Sequence, residues 1–369
     1  MRRLWIAVLA IVLLLAVLTA PTIADTVYTE PWQNYDRNGD GRIDTLELIS
    51  AIKDWLNNKL SISDLIKVIQ KWLQKEEVKI EIVDMAGNRI ILNETPKRAV
   101  FLSGESWVYA LRIKERVVAF SDLAKTNPII LKIDPNVEKI PSVGDMSKIN
   151  EEAILALKPD LIVLWDEPPS YAQNAKRLER LGIPIVRLGH IHSYPEDVCR
   201  EARMLGKIFG AKDRAEKVCE YIKQKWNELE MKKTKKDVKV LYSFITPTYI
   251  ACNVSTQPYV IFINSAGGKV VSPECNSTWV QVSKEWIVKE NPEIWIISYF
   301  APYTEEDIKS DPAFRDLEAV KRNAVYKESY KPMQFLEPYF LLTVSEYWER
   351  INGEKAIDEN ELLSQIYLT

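Results

Sequence analysis

Histidine is nearly missing from this chain, with two in 369 residues, His190 and His192. Cysteine is almost as scarce. Its four copies show no CxxC or other metal-ligand spacing, which argues against a cysteine-built metal centre. A basic excess is lacking too: the formal charge of −3 leaves no electrostatic footprint for a nucleic-acid partner. There is no GxSxG, no P-loop, no HExxH and no nucleophile–base pairing that spacing reveals, so the common sequence marks of hydrolytic and nucleotide chemistry are absent. What is abundant is aromatic, with 11 tryptophans and 16 tyrosines. Such a surplus fills cores, and it also lines ligand clefts and chelate sites. The remaining composition is that of an ordinary globular protein, long enough for two or three domains.

Met1-Arg2-Arg3 precedes an apolar run from Leu4 to Leu18, and Thr22-Ile23-Ala24 forms a small-residue exit before Asp25. This reads as a signal peptide over 1–24, with an uncleaved membrane anchor as the alternative. No cysteine stands at the exit, which excludes a bacterial-type lipid anchor. Either way the chain works outside the cytoplasm, in a compartment that permits disulfides. Cys199 and Cys219 lie on two helical patterns flanking Gly210 and would face each other in an antiparallel pair, leaving Cys252 to Cys275; four buried thiols are the other reading. Asn93, Asn253 and Asn276 each start a glycosylation triplet.

Residues 36–47 fit a twelve-residue EF-hand calcium loop. Side-chain oxygens fall at Asp36, Asn38, Asp40, Asp44 and Glu47, Gly41 permits the sharp turn, and Arg42 offers its carbonyl. The following helical stretch is echoed seventeen residues on, with Leu48, Ile49, Ile52 and Trp55 mapping to Leu65, Ile66, Ile69 and Trp72. The echo keeps the helix and loses the loop, so one metal site and two packed helices are expected over 25–75. This stretch resembles a dockerin-type or EF-hand-type module with a degenerate second half. Dockerin pairs bind cohesins, which makes a cohesin-like surface protein one candidate partner; stabilisation or surface attachment is the blander role.

From Val78 the patterning changes. VKIEIVDMAGNRIIL alternates around Ala86-Gly87-Asn88, the mark of a hairpin. Beyond it, buried strand patterns (RAVFL, VVAFS, LIVLW, IPIVRL, then VKVLYSF, IWIIS, AVYKE) alternate with helical ones. That implies an α/β fold with parallel sheets and ligands beyond the strands' carboxyl ends. The segment NEEAILALKPDLIVLW, from Asn150, is written again 133 positions later as SKEWIVKENPEIWII, from Ser283. Asn150, Glu152, Ile154 and Pro159 match Ser283, Glu285, Ile287 and Pro292. Two copies in register argue for two lobes of like construction, Rossmann-like in pattern. The lobes would span about 78–195 and 237–350, joined by the long helical pattern at 213–232, with 351–369 as a tail.

The ordered motifs VDMAGNRIIL…PKRAVFLSG, VGDMSKINEEAILALKPDLIV, SAGGK…STWVQVSKEWIVKENPEIWII and DPAFRDLEAVKRNAVY resemble the helical-backbone class of ABC-importer substrate-binding proteins. That family carries iron–siderophore complexes, cobalamin and haem. The resemblance implies two lobes on one rigid helix, a shallow cleft with little closure, and one exposed glutamate per lobe for the permease, here Glu152 and Glu285. It favours an iron(III)–siderophore-type chelate, with cobalamin or haem as alternatives. Cleft candidates are Trp107, Met146 and Trp165 on the first lobe and Tyr249, Trp279, Tyr299 and Tyr303 on the second. His190 and His192 would meet a chelated metal or a carboxylate, or are ordinary loop residues. No arginine pair for an anionic chelate is evident. A chelatase-like enzyme and a calcium-dependent surface attachment protein are the competing classes.

Overall fold

A computed structural model describes residues 30–37, 43–73, 79–165, 167, 169–189, 191–233, 237–253, 258–273, 279–329 and 337–368. The export segment, and Asn38, Asp40, Arg42 and His190, lie outside these residues. The chain divides into two compact units, 1–78 and 79–369. No helix among the described residues is long and apolar enough to cross a membrane.

In the first unit, helices α1 (Thr45–Leu56) and α2 (Ile62–Leu73) pack around Tyr35, Ile43, Leu48, Ala51, Leu65 and Val68. The sequence echo keeps its environments at three of its four pairs, Ile49 being exposed and Ile66 half-buried. Leu48 and Leu65 are both buried, Ile52 and Ile69 both pack at the edge of the core, and Trp55 and Trp72 are both exposed. Helix α1 opens with a capping box. The Asp44 carboxylate accepts from the Glu47 N–H at 2.8 Å, and Glu47 accepts in return from the Asp44 N–H at 2.9 Å.

The second unit begins with the expected hairpin, β1 (Ile80–Val83) antiparallel to β2 (Arg89–Leu92), turning at Gly87 with φ +88°. The first lobe holds β3 (Ala99–Phe101), β4 (Val117–Phe120), the short hairpin β5 (Gly144–Asp145) and β6 (Lys148–Ile149), β7 (Leu161–Trp165) and β8 (Ile185–Leu188). Four of these form an all-parallel sheet in the order β4-β3-β7-β8. Both faces are covered, which is why the strand sequences lack alternation. Val100, Leu102, Ile162 and Leu164 join the cluster around Ile154, while Phe101 lies 6.0 Å from Phe209 on the other side. The first lobe also carries α3 (Glu105–Ala110), α4 (Glu151–Leu157) and α5 (Glu196–Phe209).

Helix α6 (Lys212–Lys232) leads into the second lobe, as the uninterrupted pattern at 213–232 foretold. There β9 (Val238–Thr246), β10 (Tyr249–Asn253), β11 (Gly268–Val270), β12 (Trp279–Gln281), β13 (Ile294–Ile297) and β14 (Val325–Lys327) form one mixed sheet. Its order is β12-β10-β9-β13-β14, with β11 beside the start of β9. Helix α7 (Lys284–Glu290) precedes β13, and α8 (Phe340–Asn352) follows the sheet.

Two features tie the lobes together. Tyr194 of the first lobe, Trp226 on α6, and Phe262 and Phe340 of the second form one aromatic cluster, with ring centroids 4.8 to 6.2 Å apart. The helix is not the sole link, because the chain after 351 is no loose tail. Leu362 and Ile366 are fully buried, Glu359 pairs with Lys132 of the first lobe, and Glu361 pairs with Lys225 of α6 at 2.8 Å. The C-terminal segment therefore crosses back to the first lobe.

Candidate functional site

The echoed segments fold alike. Asn150 caps α4 by accepting from the Ala153 N–H at 3.0 Å, and Ser283 caps α7 by accepting from the Trp286 N–H at 3.2 Å. Each helix runs seven residues and buries its isoleucine, Ile154 or Ile287. Each ends on a left-handed residue just before the proline, Lys158 and Asn291, both at φ +47°. Glu152 and Glu285 stand exposed in the two first turns, where the helix dipole favours an anion. The Ser283 hydroxyl, the largest cause, and the backbone hold the Glu285 carboxyl below the usual range.

A cup opens beside each of these helices. On the first lobe it measures about 650 Å³ and is lined by Asp122, Ser142, Gly144 and Lys148 with Asn150, Glu151 and Glu152. On the second it measures about 470 Å³ and takes Thr246, Tyr249, Ser283, Lys284, Tyr303 and Asp311. Each wall holds one ion pair, Arg177–Glu151 in the first and Lys284–Asp311 at 2.6 Å in the second. Tyr249 and Tyr303, expected in a ligand cleft, thus line the cup beside α7.

Two other expectations need correction. Trp107 is 0 % exposed, because its indole N–H donates to the buried Glu201 carboxylate at 2.6 Å and so loses nothing by leaving water. Met146, in the β5–β6 turn, is 1 % exposed and fills the first-lobe core. Neither presents a surface to a guest. Trp165, by contrast, is only half-buried, at the exit of β7. Its ring lies so close to Gly189 that a Cβ there would meet it at 2.2 Å, and it meets Tyr171 edge-on at 5.7 Å. Tyr299 (36 % exposed) and Phe300 (56 % exposed) form a second aromatic pair at the exit of β13. Trp279 is half-buried on the edge strand, 6.1 Å from Tyr242. His192 is exposed, with its backbone N–H donating to Asp197 at 2.9 Å. Arg187 is engaged away from the strand exits, by Glu179 and by Asp84 at 3.8 Å.

Sequence reasoning missed a set of buried carboxylates that organise those exits. Glu201 accepts from the Gly189 N–H at 2.9 Å as well as from Trp107, so it ties α3 to the end of β8. Burial is the main cause that pushes its pKa up to about 8. Glu328, just past β14, accepts from the hydroxyls of Tyr242 at 3.0 Å and Tyr347 at 2.7 Å and from the Tyr299 N–H at 3.2 Å. Burial raises it to about 7. Glu337, held by the Ser106 hydroxyl, lies well above the ordinary range, again by burial first and then by the charge of Glu105. Glutamate is a surface residue by default, and no spacing marks these three.

A model of the periplasmic binding protein family matches residues 99–328, more than half of the chain, and the chain belongs to that family of solute-binding proteins. Its working location is accordingly outside the cytoplasm. Among curated relatives it is similar to the vitamin B12-binding protein of Pectobacterium atrosepticum, at 26 % identity over 211 residues, 55 % of this chain and 71 % of the relative. Among solved structures it is similar to Helicobacter pylori CeuE in a Ni-His complex, with TM-score 0.63 and 22 % identity over 79 % of this chain and 96 % of that one. An ABC transporter solute binding protein from Sulfurospirillum deleyianum gives TM-score 0.63 and 21 % identity over 78 % and 95 %. At these identities the structural likenesses establish the α/β fold alone.

Proposed function

We propose that this protein captures a bulky metal chelate outside the cytoplasm and delivers it to an ABC permease and ATPase complex, without chemical turnover. The observation that carries this reading is the pair of equivalent helices, one per lobe, each opening with an exposed glutamate beside a cup. Two anions at fixed spacing orient a rigid body on a basic membrane partner and speed the encounter. The described similarity to an ABC transporter solute binding protein points the same way.

For the guest, the aromatic pairs at the ends of β7 and β13 suit a flat or bulky apolar face. No arginine occurs in the sequence just beyond β3, β4, β7, β8, β9, β13 or β14, and carboxylates lie beneath those exits. Arginine forks are the usual clamp for anionic ligands, so an uncharged chelate fits better than a catecholate one. We favour a cobalamin-type corrinoid, in line with the vitamin B12-binding relatives. An uncharged iron(III)–siderophore is the second reading, in line with the similarity to a possible iron-binding protein from Staphylococcus epidermidis, which has TM-score 0.59 and 19 % identity.

The test is the absorbance spectrum of protein purified from its native host, followed by titrations read by tryptophan fluorescence. A corrinoid spectrum and saturable quenching by cobalamin support the first choice; an iron-chelate spectrum moves the assignment to the second. A colourless protein that ignores cobalamin, ferric siderophores and haem defeats the substrate assignment.

We infer separately that loop 36–47 takes calcium. The donors are hard oxygens, as calcium prefers: Asp36, Asn38, Asp40, Asp44 and Glu47 by side chain and Arg42 by carbonyl. Glu47 is already fixed, its carboxylate accepting from the Arg37 N–H at 2.8 Å and from Asp44. Calcium would raise the melting temperature of the intact chain, and the shift would vanish in Asp40→Ala.

A further inference from the structure

We propose that Cys199 and Cys219 form a covalent crosslink, a disulfide that pins α5 to the bridging helix α6. The two helices make an antiparallel pair turning at Gly210, where φ is +71°. Both cysteines are buried, and they face each other reciprocally. The Cys199 Sγ lies 3.8 Å from the Cys219 carbonyl oxygen, and the Cys219 Sγ lies 3.6 Å from that of Cys199. Sulfurs that each reach the opposite backbone belong to chains close enough to bridge by side-chain rotation.

The seam around them is tight and already set. A Cβ on Gly206 would meet the Ala215 Cβ at 2.7 Å, so the helices approach backbone to backbone there. Between this point and the cysteines, Arg203 holds Glu216 with two bonds, at 2.7 and 2.8 Å. Cys252, the other described cysteine, is buried in the second lobe on β10.

Both thiols are free in this structure; the neighbouring Cys199 sulfur first, and then burial, push the Cys219 thiol up, while the same contact lowers Cys199. Disulfide exchange needs a thiolate that an oxidant can reach, and both sulfurs are buried once α5 packs on α6, so the bond forms during folding. The oxidant is a small or protein disulfide of the extracytoplasmic compartment. One cysteine thiolate attacks it, forming a mixed disulfide and releasing one thiol. The second cysteine thiolate then displaces the other half as a second thiol. Two protein thiols are oxidised to one S–S bond, the oxidant disulfide is reduced to two thiols, and the two protons end on those thiols. The consequence reaches the strand exits, because Glu201 lies two residues beyond Cys199 on α5 and holds Gly189 and Trp107.

This inference rests on the compartment and not on the identity of the guest. The full chain is refolded in a buffer of oxidised and reduced glutathione, then denatured with an alkylating agent and no reductant. Peptide mapping is expected to find Cys199 and Cys219 unlabelled and joined, lighter by two hydrogens. Reductant should lower the melting temperature by about 6 °C, the scale for closing a loop of about twenty residues in a body this large, and should do nothing in the Cys199→Ala/Cys219→Ala variant. Complete labelling of both residues, either one joined to Cys252 or Cys275, or an equal effect of reductant on both proteins overturns the proposal. Where the double variant does not fold, the peptide map on the natural chain still decides.

Discussion

Replacing Glu201 by glutamine tests whether a buried carboxylate governs how stability depends on pH. In the folded protein burial raises this group to about 8, so between the ordinary carboxylate value and 8 the folded state keeps a proton that the unfolded chain has lost. Stability from this source is therefore complete below about pH 4.5 and is lost as pH rises through 8. A displacement of that size corresponds to at most about 5 kcal/mol. Relaxation and water entry around the ionised form reduce it, and about 3 kcal/mol is a reasonable working figure. For a body of this size that is about 6 °C of melting temperature between pH 5 and pH 9. Glu201→Gln abolishes this component. It also lowers the baseline by about 1–3 kcal/mol, because the amide NH2 must face either the Gly189 or the Trp107 donor. Glu328, Glu337 and Glu346 are raised as well, so both proteins lose stability with rising pH, and the difference between the two curves is the readout. Parallel melting curves across pH 5 to 9 would refute the reasoning.

Trp107→Phe keeps an aromatic ring but removes the indole donor to Glu201 and leaves a small void, costing about 2–4 kcal/mol, measured as a lower urea midpoint at unchanged slope. Gly144→Ala forces a Cβ to within 2.1 Å of the Lys148 carbonyl at φ +84°, so the β5–β6 hairpin must shift. The expected result is a melting temperature lowered by several degrees, and an unchanged one would show that the hairpin yields freely. Charge reversal at Glu152 and Glu285 together should leave chelate affinity within about twofold while transport through a reconstituted permease falls at least tenfold, a loss of about 1.4 kcal/mol or more in coupling. Equal transport by the reversed protein would remove these residues from docking.

Much of the frame was legible because it is written in local chemistry. Asn150 and Ser283 are capping residues, and Pro159 and Pro292 follow helix ends, so the echoed segments could be bounded to a residue or two. Both-sided burial explains the unbroken apolar run of LIVLW, and the hairpin at Gly87 follows from alternation and turn residues. What escaped notice depends on contacts between distant parts of the chain. Nothing near Trp107 in sequence announces Glu201, 94 residues on, and without that partner an exposed, ligand-facing tryptophan was the natural expectation. The residues after 351 carry little periodicity, yet Leu362 and Ile366 become core once the chain returns to the first lobe. Tyr249 and Tyr303 come from separate strand exits, and only the sheet order places both beside α7.

The aromatic knot of Tyr194, Trp226, Phe262 and Phe340, together with the C-terminal crossing, has a consequence for signalling. A hinge plugged with packed rings resists the jaw-like swing by which many carriers announce that they are loaded. If the protein delivers cargo to a membrane partner as proposed, that partner would sense it through something other than a large change of outline. On the proposed delivery role, the cargo's own surface would become part of what the partner reads.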